Sequence, residues 1–190
     1  MAGRRLVRQA LAHGAVFALL VFGATVLQDR EQAGPGGAAL YLAASLAFLT
    51  GLAFSHIIHE WGHFLGAVLS GAMLTVRQRI SPLFFDFEFP ANTHRQFLWM
   101  SAGGLAGNLV LLLFLSLGID STGQVLNAMM AAVLGQLVFV VILELPVSLR
   151  VLAGQEPLEA LTEHFSQGAP LFLRALLAGV ATAALVLLLR

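Results

Sequence analysis

The stretch AALYLAASLAFLTGLAFSHIIHEWGHFLGAVLSG, residues 38–71, decides how this chain must be read. Its first half is almost wholly apolar; His56, His59, Glu60 and His63 then interrupt it, and apolar residues resume to Gly71. A hydrocarbon core about 30 Å thick needs roughly 20 residues of helix, so the stretch predicts a membrane span with ionisable groups inside it. At about 1.5 Å per residue it would extend roughly 50 Å, so it must tilt, break near Gly66 or Gly71, or protrude from the bilayer.

The rest of the chain agrees with lipid as the solvent. Of its 190 residues 58% are hydrophobic and 11% charged, and mean hydropathy is +0.87, beyond the composition of soluble domains. Five spans are expected, at about 10–28, 38–71, 97–118, 124–145 and 169–189. The apolar run at 10–28 is too long for a signal-peptide core, and no small-residue cleavage site precedes Asp29-Arg30-Glu31, so it reads as a first span. The expectation is an all-α polytopic membrane protein forming one domain over residues 1–190, with its core at 38–155 and accessory spans at 10–28 and 169–189.

Every basic residue is Arg, and none of the arginines form a block suited to nucleic acid. Loops kept in the cytoplasm are enriched in Arg and Lys. With the N-terminus inside, Arg4, Arg5, Arg8, Arg77, Arg79, Arg95, Arg150 and Arg174 are cytoplasmic, against Arg30 and Arg190 outside. The histidines of the second span and Glu144 of the fourth then lie near the cytoplasmic face. Arg-only basic usage with abundant Ala, Leu and Gly points to a GC-rich bacterial genome, hence an inner membrane.

Between the second and third spans, Met73 to Ile80 and Leu83 to Phe89 read as two strands joined at Ser81-Pro82. Phe85, Phe87 and Phe89 alternate with Asp86 and Glu88, the period of two expected of a hairpin at an apolar-to-water boundary.

His59 and His63, four residues apart, project from one helix face about 40° from each other and can share a metal ion. Cysteine is absent, so the ligands must be nitrogen or oxygen, and Zn2+ is the expected ion. Glu60 stands beside that face, where it can take a proton from a water polarised by the ion. Ionisable side chains in a membrane helix cost about 3 kcal/mol each unless paired or metal-bound. A polar helix–helix contact without metal is the alternative reading of these three residues.

The segment resembles the site-2 protease family of intramembrane zinc metalloproteases. In that family the motif helix is followed by a membrane-associated β-hairpin, matched by Met73 to Phe89, and then by a helix with an Ala-Gly-Pro-x-x-Asn signature. Here the stretch is Gly103-Gly104-Leu105-Ala106-Gly107-Asn108, which keeps the Gly and the Asn and lacks the Pro. The resemblance covers residues 50–155. It implies cleavage of a membrane-anchored protein substrate near the cytoplasmic face, with His59 and His63 as zinc ligands and Glu60 as base. The family's third ligand comes from an Asp-Gly pair, and this chain has Leu152-Ala153-Gly154 in its place.

Glu144 is the replacement candidate, because it ends an apolar span at the depth inferred for the motif. Neutralisation of its carboxylate by Arg150 or Arg174 is the alternative. His56 lies about 10.5 Å of helix rise from His63, too far to share an ion with it at about 2.0 Å, and a hydrogen-bonding role fits it better. Asn108, deep in span three, would polarise a scissile carbonyl, orient a ligand or bond to a neighbouring helix. His13, His94 and His164 read as solvated or interfacial, and Glu156, Glu159 and Glu163 as the wet face of a surface helix. Two other functions compete: an inactive, protease-like scaffold, which the missing Asp favours, and metal transport, which would need polar groups repeated across the membrane.

Overall fold

The computed structural model describes residues 2–32, 38–118 and 123–189. In chain order the elements are α1 (Ala2–Gln32), α2 (Ala38–Leu69), β1 (Leu74–Val76), β2 (Phe85–Phe87), α3 (His94–Gly118), α4 (Gln124–Leu152), α5 (Pro157–Phe165) and α6 (Ala169–Leu188). All of these helices except α5 are long and apolar enough to cross a membrane. The hairpin falls between the second and third, so the expected architecture holds.

Helix α4 is the centre of the bundle and packs against α1, α2, α3, α5 and α6. From Val125 to Val133 every residue is buried, the signature of a helix that is apolar on all sides because protein surrounds it. Its end differs from the sequence expectation. The span predicted to stop at 145 continues to Leu152, straight through Pro146. Proline removes the bond to the Ile142 carbonyl, a loss that packed membrane helices tolerate. Glu144 therefore sits inside α4 rather than at its end.

The long second span is one unbroken helix to Leu69 and does not break at Gly66. It stops in a Schellman turn: Ala72 N–H donates to the Ala67 carbonyl at 2.9 Å and Gly71 N–H to Val68 at 3.0 Å. Gly71 takes φ = 70° there, the left-handed conformation that glycine adopts without a Cβ penalty. Helices α2 and α3 then meet backbone to backbone. A Cβ on Gly62 would lie 2.2 Å from the Gly103 carbonyl oxygen, and one on Gly66 would lie 2.2 Å from that of Trp99. Two Gly-x-x-x-Gly pairs, 62/66 and 103/107, make this approach possible.

A capping box starts α3. Thr93 Oγ1 accepts from Gln96 N–H at 3.3 Å, while Gln96 Oε1 accepts from Thr93 N–H at 2.8 Å. The Gln96 amide also donates to the Gly71 carbonyl at 3.0 Å, joining the end of α2 to the start of α3.

The hairpin is antiparallel with Leu74 opposite Phe87 and Val76 opposite Phe85, and shorter than the alternation predicts. Phe89 leaves the strand for a 3-10 turn at Phe89–Ala91, because Pro90 cannot donate to a ladder. Asn92 substitutes for the missing strand end, its amide donating to the Met73 carbonyl at 2.7 Å and accepting from Met73 N–H at 2.7 Å.

Helix α1 holds the hairpin tip. Gln9, fully buried, donates to the Arg79 carbonyl at 2.6 Å and accepts from Ser81 N–H at 3.3 Å. His13, expected to be solvated or interfacial, is buried against the hairpin. Its Nδ1 accepts from the Trp61 indole at 3.1 Å, leaving Nε2 to donate to the Ser81 carbonyl at 3.1 Å. His164 is likewise buried, at 4% exposure, because it faces inward from α5 while Glu156, Glu159 and Glu163 face water. His94 pairs with Glu156 at 3.1 Å, and Arg150 with Glu163 at 2.8 Å. Bonds from Gln155 and Arg150 hold the Glu163 carboxyl below its ordinary value.

Candidate metal centre

Three donors from two helices converge near the hairpin end of the bundle. His59 Nε2 lies 2.9 Å from Glu144 Oε1 and 2.9 Å from His63 Nε2, and His63 Nε2 is 3.4 Å from the same carboxylate oxygen. Among the described residues this is the one group of three able to hold a metal ion. Four-residue spacing puts both rings on one face of α2, and α4 carries Glu144 across to them. By helix rise, His63 lies about 9 Å inside the end of α2 at Leu69 and Glu144 about 12 Å inside the end of α4 at Leu152, so the two helices present their donors at matching depth.

The donor set fits a cation. His63 Nδ1 donates to the Met100 carbonyl at 2.9 Å, so the neutral ring keeps a lone pair on Nε2, aimed at the other two donor atoms. Three electron-rich atoms this close repel one another unless a proton or a metal ion lies among them. Donors about 2.0–2.2 Å from an ion in a tetrahedron stand roughly 3.3–3.6 Å apart; the 3.4 Å separation falls in that range, and the two of 2.9 Å are shorter, at hydrogen-bond length. Glu144 Oε2 is buried and has no hydrogen-bond partner among the described residues.

The second helix-facing side of His59 is also held. Asn108, fully buried, has its amide nitrogen 3.3 Å from His59 Nδ1, which leaves the ring proton on Nε2, and its amide oxygen accepts from the Ser55 hydroxyl at 3.2 Å. Turning the amide over, without moving a heavy atom, lets its oxygen accept from Nδ1–H and its nitrogen donate to Ser55. His59 Nε2 is then a free lone pair for an ion. Of the roles expected for Asn108, these contacts match both orientation of a ligand and a bond to a neighbouring helix, since Ser55 and His59 belong to α2.

Glu60 is 8% exposed and makes no hydrogen bond or ion pair among the described residues, one helix position from His59. His56 is half-buried and outside the converging group. Gly104, which the sequence marks only as part of the stretch Gly103 to Asn108, is a site residue: a Cβ there would lie 2.4 Å from His63 Cε1, so its absence makes room for the ring. Ser55 was legible in principle, since it precedes His59 by one helical turn. The Met100 carbonyl was not, because a backbone acceptor carries no residue signature.

Comparison with protein-family models, curated proteins and solved structures finds no match. The chemistry of the site therefore has to be argued from its own groups.

Proposed function

We propose that this chain is an intramembrane metalloprotease that hydrolyses a membrane-anchored protein substrate near the cytoplasmic face of a bacterial inner membrane. One observation carries the reading: two imidazoles and a carboxylate converge on a single point inside a membrane bundle, with the unpaired Glu60 carboxylate beside them. Two histidines and a glutamate form a ligand set used by catalytic zinc sites, which leave one position open, and thiol-free nitrogen and oxygen donors suit Zn2+. When bound, the ion supplies Lewis acidity towards a carbonyl and lowers the pKa of a water molecule.

The chain's own residues supply the rest. His59, His63 and Glu144 hold the ion. Asn108 and the Met100 carbonyl fix the two rings in the orientation that ligation needs. Glu60, with no competing partner, accepts the proton of the attacking water and returns one to the leaving amine.

A helical substrate has to unwind, since its backbone is otherwise hydrogen-bonded to itself. The hairpin offers a place for the unwound strand. Arg77 N–H donates to the Phe84 carbonyl and Glu88 N–H to Met73, so by antiparallel alternation Phe85 and Phe87 turn their backbone groups away from β1. That edge of β2 is able to take a further strand. The Ala153 that stands where the family has an Asp favours an inactive scaffold; Glu144, close to both histidines, offers another third donor and weakens that ground. The clustering of polar groups at one end of the bundle argues against a transport path.

The start of α1, the hairpin, the start of α3 and the end of α4 lie at the same end as the donors, which gathers Arg4, Arg5, Arg8, Arg77, Arg79, Arg95 and Arg150 there. This supports a cytoplasmic N-terminus; Arg190 lies outside the described residues.

The test is a cleavage assay on purified protein in liposomes with single-span test substrates, loaded with Zn2+. Wild type should cleave and Glu60→Gln should not, with metal content equal in both. Cleavage that persists in Glu60→Gln would overturn the assignment.

A further inference from the structure

A cavity of about 160 Å³ opens beside the converging donors, on the side away from α1. Its walls are Phe97 and Met100 of α3, Leu143 and Val147 of α4, and Leu161 and Phe165 of α5, while His63 and Glu144 line it on the metal-site side. The one hydroxyl pair nearby, Ser101 and Ser148, is satisfied internally at 2.6 Å. A volume of about 150 Å³ with apolar walls is enough to hold a benzene-sized group. The cavity is thus apolar, side-chain sized, and in contact with two of the three donors.

We infer that this cavity is the specificity pocket of the enzyme, receiving one large apolar side chain, Phe, Leu or Met, from the unwound substrate next to the bond that is cut. The inference rests on the proteolytic reading. Three observations converge on it. The pocket touches the metal-site donors, so a residue seated there brings the adjoining peptide group to them. Its lining is apolar apart from His63, Ser101 and Glu144, so a charged side chain entering it would be desolvated. And α5 supplies two of the six apolar lining residues, Leu161 and Phe165, although it is too short to cross the membrane: it lies over the pocket, held to α4 by Arg150–Glu163 and to the start of α3 by His94–Glu156. A short helix tethered in this way makes the pocket a feature of the whole end of the bundle, not of the motif helix alone.

Discrimination by such a pocket has a known scale, since each methylene that fills or leaves an apolar site changes kcat/KM by roughly 10-fold or more. Single-span substrates carrying Phe, Leu, Ala or Asp at each position of their cytoplasm-proximal third should show one position where Phe or Leu exceeds Ala by at least about 10-fold and Asp is not cut. Leu161→Trp, which fills the cavity from the half-buried face of α5, should invert the order of Leu and Ala at that position. Phe165→Ala should widen acceptance to larger side chains.

A binding readout separates this inference from the proteolytic one. The chain has no cysteine, so Leu161→Cys in the Glu60→Gln background provides a single thiol in the pocket. Disulfide cross-linking to substrates with one cysteine walked along the same third should peak at one or two adjacent positions. A peak together with the cleavage preference supports both readings. A peak with no cleavage by wild type keeps the pocket and overturns the protease. Cleavage that depends on Glu60, but with cross-links absent or evenly spread and with an order of preference unmoved by Leu161→Trp, overturns the pocket alone. Neither cross-link nor cleavage overturns both.

Discussion

At the scale of single residues, metal binding by the proposed site depends on how tightly the two histidine rings are held. Asn108 reaches His59 and Ser55 together, and outer partners of metal-bound histidines commonly contribute 10–100-fold to affinity. Asn108→Leu should therefore weaken Zn2+ binding by about 10- to 100-fold, measured by competition against a chromophoric chelator. Gly104 leaves room for the His63 ring, and a methyl group in its place would sit 2.6 Å from His63 Nε2. Gly104→Ala should abolish stoichiometric metal binding and cost about 1–3 kcal/mol of stability, as overpacking usually does. Gly14→Ala, where nothing lies within 4 Å of the added carbon, should change neither metal content nor thermal unfolding. Much at this scale was legible beforehand. His59, Glu60 and His63 declare themselves by spacing, and Glu144 by being a carboxylate in an apolar span. What could not be read was everything held by non-local contact. Gln9 and His13 look like ordinary polar residues at the start of a span, and only the return of the hairpin to α1 gives them partners.

At the scale of elements, the hairpin is where prediction and structure can be compared most closely. The alternation of Phe85, Asp86 and Phe87 correctly placed a strand, because a period of two at a boundary leaves few alternatives. It could not say that Pro90 and Asn92 would end the ladder early. Helix α4 fails in the opposite direction. Pro146 reads as a stop in water, but in a packed bundle the helix continues past it, and Glu144 moves from the rim to the interior. The register also defines a test of strand addition. Since Phe85 and Phe87 direct their backbone N–H groups away from β1, Phe85→Pro or Phe87→Pro removes a donor from the open edge without removing one from the hairpin. Either variant should lower cleavage by about 10-fold or more, the equivalent of roughly 1.4 kcal/mol in the transition state, while metal content stays at the wild-type level. Loss of metal with normal cleavage of the remaining loaded fraction would count against the strand-addition role.

At the scale of the whole molecule, the donors bridge α2 and α4, and α4 in turn packs on the other helices. A metal ion at that junction would tie α2 to α4, which also meet through side-chain packing and at Gly51. Ligand binding to the folded state stabilises it by RT ln(1 + [L]/Kd), about 4 kcal/mol at 1,000 times Kd. Stripping the ion with a chelator should lower Tm by on the order of 10 °C for a domain of this size, and Zn2+ should restore it. In Glu60→Gln the same shift should appear, because Glu60 stands beside the donors and is not one of them. A chelator effect equally large in His59→Ala would show that the ion stabilises the bundle from somewhere else.

If Glu144 supplies the third ligand that Ala153 cannot, the metal content of each chain depends on its carboxylate. Purified in the same detergent and measured by mass spectrometry of the elements, wild type should carry one Zn2+ per chain and Glu144→Gln far less, with helical content unchanged. One Zn2+ per chain retained in Glu144→Gln would contradict the account.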